Sequence, residues 1–202
     1  DIYNDEILIV FSAGNERVSQ VCNITTGYNT ITPPATAKNI LTVGATYSDN
    51  DQSTCFSSWG PTDDGRIKPD VVANGDGVIS TVPTDNYASS DVTSMAAPAV
   101  SGTLALLIEE YRNKNSQDPN NALMKALLLH TTTDLNNTGP DYTTGWGLVN
   151  ASKAVTLIDY NTDVRNIFYL NNITASGENI TQTVTLDGTE SELRITLVWH
   201  DY

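Results

Sequence analysis

The chain has 202 residues, 39% of them hydrophobic, and carries 24 acidic against 10 basic side chains for a formal net charge of −14. The acidic residues are scattered singly, which describes a solubilising surface and excludes nucleic acid and anionic membranes as partners. No apolar run reaches bilayer length, so no membrane span is expected, and the length suffices for one core plus part of another.

The chain opens without a start methionine or a signal peptide and enters the apolar run "EILIVFSA" (6–13) almost at once. Such a start fits a mature terminus or a chain that begins inside a domain. Continuous apolar runs at 6–13 and 39–46 predict strands of a parallel sheet covered on both faces, with shorter strands at 68–74 and 77–82. A helix is expected from about Ser94 to Asn113, apolar all round at its start as a central buried helix is. A second follows, with Asp118 as N-cap and Pro119 at its first position, and a third covers 150–159. Residues 1–160 therefore read as an α/β unit, a partial doubly wound, mainly parallel sheet with helices on both faces. Past Tyr160 the texture changes to alternating apolar and polar residues with Gly and Asn turns. Residues 161–202 are accordingly expected to form the first strands of an antiparallel β-sandwich or jelly-roll, itself incomplete.

Chemistry concentrates at two stretches. In "VTSMAAP" (92–98), Ser94 stands where a helix begins, and a helix N-terminus offers unpaired N–H groups and the positive end of the dipole. A nucleophilic serine needs that presentation, donors for the developing oxyanion and a base. The plainer alternative is that Thr93 or Ser94 only caps the helix. In "FSAGNE" (11–16), a Gly-Asn turn ends the first strand and exposes an amide side chain as a second oxyanion donor.

Together with "NILTVGAT", "FSSWGPTDDGRIKPDVVANGDGVIST" and "GWGLVNASKAV", in this order, these stretches resemble the subtilases, the subtilisin-like serine proteases, over about residues 1–160. The resemblance implies a subtilisin-like catalytic domain that hydrolyses peptide bonds in proteins or peptides through an acyl-enzyme on Ser94. Asn15 would donate to the oxyanion beside the Ser94 N–H. Ser12, Ala13 and Gly14 would line the pocket for the side chain preceding the scissile bond, and Glu16 would stand at its rim, favouring a basic residue. The family orders its triad Asp, His, Ser. Both histidines here, His130 and His200, follow Ser94, and neither fits the base. The acid, the base and the N-terminal half of the catalytic domain are thus expected upstream, and the 202-residue chain alone is expected to be inactive.

One residue departs from the family motif: Val92 stands where the family has Gly. If that backbone needs glycine, the chain belongs to a pseudoprotease or a protein-binding module on the same fold. Ala99 replaces a His or Asn of many relatives, a change of packing. An α/β-hydrolase esterase is set aside, because "VTSMA" lacks both glycines of its nucleophile elbow. No cofactor is expected for catalysis. Structural Ca²⁺, held by many subtilases, is left open by the Asp-rich loops 47–52 and 61–66. Cys22 and Cys55 permit one disulfide or two reduced thiols, and the Asn-x-Ser/Thr sequons occur near the frequency of chance. The family implies a secreted or cell-surface protein.

Overall fold

A computed structural model describes residues 7–17, 27–163, 166–173, 175–186, 188–189 and 191–200. Three strands, β1 (Val10–Ser12), β2 (Leu41–Thr46) and β3 (Val71–Asn74), form a parallel sheet in the order β1-β2-β3. Val10 pairs with Leu41, and Val43 with Val71. Every residue of β2 is buried, which is why its sequence is a continuous rather than an alternating apolar run. The "GWG" turn continues the sheet beyond β3: Val72 N–H donates to Gly147 O at 3.0 Å and Val149 N–H to Val72 O at 3.0 Å. Gly147 has φ +121°, and a Cβ there would lie 2.3 Å from Thr133 O, so no side chain fits.

Next come β4 (Val78–Val82) and β5 (Asn86–Ser90), an antiparallel hairpin closed by Pro83, Thr84 and Asp85. The run at 77–82 thus belongs to a separate ribbon and not to the parallel sheet. Helices α1 (Thr93–Asn115), α2 (Asn121–Thr131) and α3 (Ala151–Asp163) follow.

α1 packs on the sheet through Ala96, Val100, Leu104, Leu107 and Tyr111, whose spacing of three or four residues makes one stripe. They meet Leu41, Val43, Ala45, Val71 and Ala73 of the sheet, Leu123, Met124, Leu127 and Leu128 of α2, and Ala154 and Ile158 of α3 in a single core. The expectation that α1 is buried all round at its start is corrected. Pro98 and Ala99 are exposed, as are Ala105 and Leu106 further along, the last by 63%.

The start of α2 is corrected as well. Its N-cap is Asn120, whose side chain accepts from Leu123 N–H at 2.9 Å, while Asp118 pairs with Arg112 at the end of α1. All five sequence-predicted strand and helix stretches in residues 1–90 and 150–163 shift by one to a few residues at their ends, and β1 contracts most, from 6–13 to Val10–Ser12.

Over the described residues from 166 to 200 the backbone carries no assigned strand. Phe168 and Val198 nevertheless pack against the core, and Thr196 meets His130.

Beneath β2 lies a buried ionic cluster. Lys68 Nζ is 2.5 Å from Asp70 Oδ2 and also donates to Thr42 Oγ1 and Ile40 O. Lys125 Nζ is 3.5 Å from Asp70 Oδ1 and donates to Ile40 O at 2.8 Å. Burial, opposed by Asp70, pushes the Lys68 ammonium down to about 8.

Candidate active site

The end of β1 and the start of α1 meet through a few hydrogen bonds that span nearly eighty residues of sequence. Ala13 N–H continues the ladder to Val43 O at 2.8 Å, and its side chain turns into a small core with Ile31 and Ala35. Gly14 then takes φ +103°, a left-handed conformation that suits glycine and reverses the chain. Asn15, next in line, points its side chain at α1. Its Oδ1 accepts from Thr93 N–H at 2.9 Å and from Thr93 Oγ1 at 3.1 Å. Thr93 Oγ1 in turn accepts from Gly14 N–H at 3.2 Å.

A backbone N–H can only donate, so the oxygen of the Asn15 amide must be the atom facing Thr93. The Nδ2 group is left on the other side, without a protein partner among the described residues. Ser94 is the second residue of α1 and is exposed, and no protein group bonds its Oγ or its N–H among the described residues. An exposed hydroxyl, an N–H of the first turn of a helix and an amide fixed by the residue before Ser94 are groups of the kind that can stabilise a tetrahedral oxyanion.

The capping alternative does not hold. The N-cap of α1 is Val92, which makes no side-chain cap, and neither Thr93 nor Ser94 occupies that position. Val92 itself has φ −153° and ψ 157°, extended backbone that valine adopts readily. The supposition that this position requires glycine for its backbone angles is therefore corrected.

Of the predicted pocket residues, Ser12, Gly14 and Glu16 stand together on the Asn15 turn, and Ala13 contributes its backbone. Glu16 folds back over Gly14, and Ser58 Oγ donates to its Oε2 at 2.6 Å. Arg17, the next residue, is buried with its guanidinium 3.1 Å from the centre of the Trp59 ring. Desolvation lowers the pKa of Arg17. Thr93 and Ser58, whose hydroxyls bond the Gly14–Glu16 turn, carry no signal in the sequence beyond being two hydroxyls in Ser/Thr-rich stretches.

Neither histidine approaches this group. His130 lies in the last turn of α2, its Nδ1 2.9 Å from Thr196 Oγ1, and it lines a cavity with Ser152, Lys153, Thr156, Leu157 and Tyr160. Burial, and then the charge of Arg194, hold its pKa below the ordinary value. His200 is near the end of the described tail. Cys55 is disulfide-bonded, and the other cysteine, Cys22, lies outside the described residues.

In the loop at 61–66 the carboxylates are engaged by neighbouring side chains. Asp64 is bonded by Arg66 and Thr62, which pull its carboxyl down to about 2, and Asp63 accepts from Asn29. Among the described residues no three His, Cys, Asp or Glu side chains group around a common point.

Comparison with known proteins gives the family. The sequence profile of the subtilase family, peptidase S8, matches residues 2–147. C5a peptidase of Streptococcus pyogenes is 36% identical over 166 residues, covering 77% of this chain and 14% of that protein. Alkaline elastase YaB of Bacillus sp. (strain YaB) is 38% identical over 148 residues, 73% of this chain and 32% of the elastase. Subtilisin DY of Bacillus licheniformis is 33% identical over 152 residues, 75% of this chain and 48% of the subtilisin. Among solved structures, the prenylagaramide maturation protease PagA superposes with a TM-score of 0.62 at 25% identity, over 76% of this chain and 51% of that one. The chain thus spans about half or less of the length of each of these relatives.

Proposed function

Since this chain belongs to the subtilase family, we propose that it supplies the nucleophile and oxyanion donors of a serine endopeptidase acting on proteins or peptides. Ser94 Oγ attacks the scissile carbonyl carbon and gives its proton to a base. The carbonyl oxygen, now negative, sits between Asn15 Nδ2 and the Ser94 N–H. Collapse expels the amine and leaves an acyl-enzyme on Ser94, which water hydrolyses by the same route. The observation that carries this reading is the pair of hydrogen bonds that Thr93 N–H and Thr93 Oγ1–H donate to Asn15 Oδ1, which aim the amide before any substrate arrives.

The base and the acid of the triad are proposed to lie in further catalytic-domain sequence upstream, because both histidines follow Ser94 and His130 lines a cavity with residues of α3. Two features support docking with such a segment. Phe11 on β1, which forms one edge of the sheet, and Ile7 and Ile9 just before it are exposed, as are Ala99, Ala105 and Leu106 on α1. Residues 1–202 alone are proposed to be inactive, and residues 161–202 to open a further domain. Secretion or display at the cell surface is supported by the disulfide at Cys55, a bond of oxidising compartments. No helix among the described residues is long and apolar enough to cross a membrane.

The test is covalent labelling. A fluorophosphonate should modify Ser94 rapidly in the protein that carries this chain with its upstream segment, and slowly or not at all in residues 1–202 alone. Peptide hydrolysis that survives Ser94→Ala removes the proposal. The pseudoprotease alternative loses its backbone argument with the extended angles of Val92.

A further inference from the structure

Residues 53–60, between β2 and β3, are fixed to the sheet and hold the turn that carries Asn15. Thr54 N–H donates to Ala45 O at 2.9 Å and Ser57 Oγ accepts from Ala45 N–H at 3.0 Å, so this segment is anchored on the fully buried β2. From there Ser58 N–H donates to Gly14 O at 2.9 Å, and Ser58 Oγ accepts from Glu16 N–H at 3.1 Å. Trp59 stacks on the Arg17 guanidinium. The same few residues also hold a second anchor: Asn29 N–H donates to Gly60 O and Thr30 N–H to Trp59 O, both at 2.8 Å. Cys55 belongs to the holding segment, is half-buried and is disulfide-bonded. The chain has two cysteines and neither is free, so the partner is Cys22, which in sequence stands seven positions after Asn15 and between the two anchors. Each hydrogen bond at the Asn15 turn competes with water and has a small net worth. A covalent tie a few residues away keeps a broken pair within reach of each other, and so keeps the set formed.

We propose that the Cys22–Cys55 disulfide is a positioning element of the active site: it ties the chain that leaves the Asn15 turn to the segment that holds this turn, and so keeps the Asn15 amide aimed. The catalytic part of this inference rests on the reading of Asn15 as an oxyanion donor. Breaking the bond leaves every group of the site in the molecule and removes only its fixed orientation, so the loss should appear in turnover and not in binding. A dithiol is a sufficient reductant. Its thiolate opens the S–S bond, both protein sulfurs end as thiols, and the reagent leaves as its cyclic disulfide with the two electrons supplied.

The experiment uses the protein that carries this chain with its upstream segment, oxidised, reduced with dithiothreitol, and as the double variant Cys22→Ser/Cys55→Ser, below the unfolding temperature of the reduced form. Loss of the disulfide should lower kcat about tenfold with KM changed by less than about twofold. It should also speed amide hydrogen exchange at Ser58 and Thr93, whose N–H groups hold Gly14 and Asn15. Reoxidation should reverse both effects in the wild type. In an Asn15→Ala background, loss of the disulfide should cost kcat nothing further, because it acts through that amide. A fall in Tm with kcat unchanged overturns the proposal and makes the bond merely stabilising. So do equal losses of kcat with and without Asn15, and exchange at Thr93 that does not change. An oxidised wild type that resists fluorophosphonate removes the protease reading instead, and exchange at Thr93 then decides alone whether the disulfide aims Asn15.

Discussion

Replacing Asp70 by asparagine should destabilise the fold more than any other single-atom change at a charged site. Asp70 is 4% exposed and is the one anion between Lys68 and Lys125, whose ammonium groups lie 2.5 and 3.5 Å from its two oxygens. The Lys68 ammonium is already held at about 8 against an ordinary 10.5. At roughly 1.4 kcal/mol per pH unit, the interior disfavours its charged form by about 3 kcal/mol even with Asp70 present. Asparagine can keep the acceptor for Thr42 N–H, now 2.7 Å from Oδ2, but it removes the charge and turns the oxygen facing Lys125 into an N–H donor. Two buried ammonium groups would then face each other without a counterion. The expected loss is about 3–5 kcal/mol at pH 7, or a fall in Tm of roughly 6–20 °C for a domain of this size.

The pH dependence has a definite sign. A lysine whose folded pKa is depressed holds fewer protons folded than unfolded, so stability rises with pH through that window, here from about 8 to 10.5. In Asp70→Asn the window opens at lower pH, and the deficit should be largest near neutrality and shrink toward pH 10. Guanidinium unfolding followed by tryptophan fluorescence at pH 7 and pH 10 measures both quantities. A loss under about 1 kcal/mol at pH 7, or a deficit that grows with pH, refutes the reasoning. Adding Lys68→Met should recover at least half of the loss.

Three further outcomes concern the site. Asn15→Ala should lower kcat with little change in KM. The benchmark for removing an oxyanion donor, roughly 10²–10³ in kcat, comes from subtilisin, itself a member of this family. Thr93→Val keeps the shape of a fully buried side chain but removes one anchor of Asn15 and the acceptor of Gly14 N–H. It should lower kcat about tenfold and stability by about 1–3 kcal/mol, read from steady-state kinetics and a denaturant curve. Val92→Gly should give no gain in kcat/KM from relieved backbone strain and should lose about 0.5–1 kcal/mol of stability, since glycine only adds freedom to the unfolded chain. A tenfold gain in kcat/KM would restore the original concern about that valine.

Legibility in the sequence followed the range of the interactions. "TSMAAP" and "SAGN" were readable because the groups that act are carried by the motifs themselves. The burial of β2 was readable because a fully covered strand needs an unbroken apolar run. β5 was not, since "NYASS" has neither apolar content nor alternation, and its pairing with β4 is made by backbone groups that any sequence carries. The helix cap at Asn120 was missed in favour of Asp118, because either side chain can cap and only the pairing of Asp118 with Arg112 decides between them. Nothing in the sequence joins Lys68, Asp70 and Lys125, and only their mutual neutralisation explains their burial. The same holds for Thr93: its hydroxyl matters because of an asparagine 78 positions away.

The bare start of α1 has a consequence for anyone who would stabilise this protein. Most helices gain about 1 kcal/mol from a polar N-cap, and Val92 supplies none, so position 92 looks like an obvious target for thermostabilisation. Val92→Asp should raise Tm by a few degrees. Its carboxylate would reach for the N–H groups of Ser94 or Met95, and so place a permanent negative charge where the transition state has to develop one. The variant would be a more durable protein and a poorer catalyst. The unfilled cap is stability held in reserve for the oxyanion.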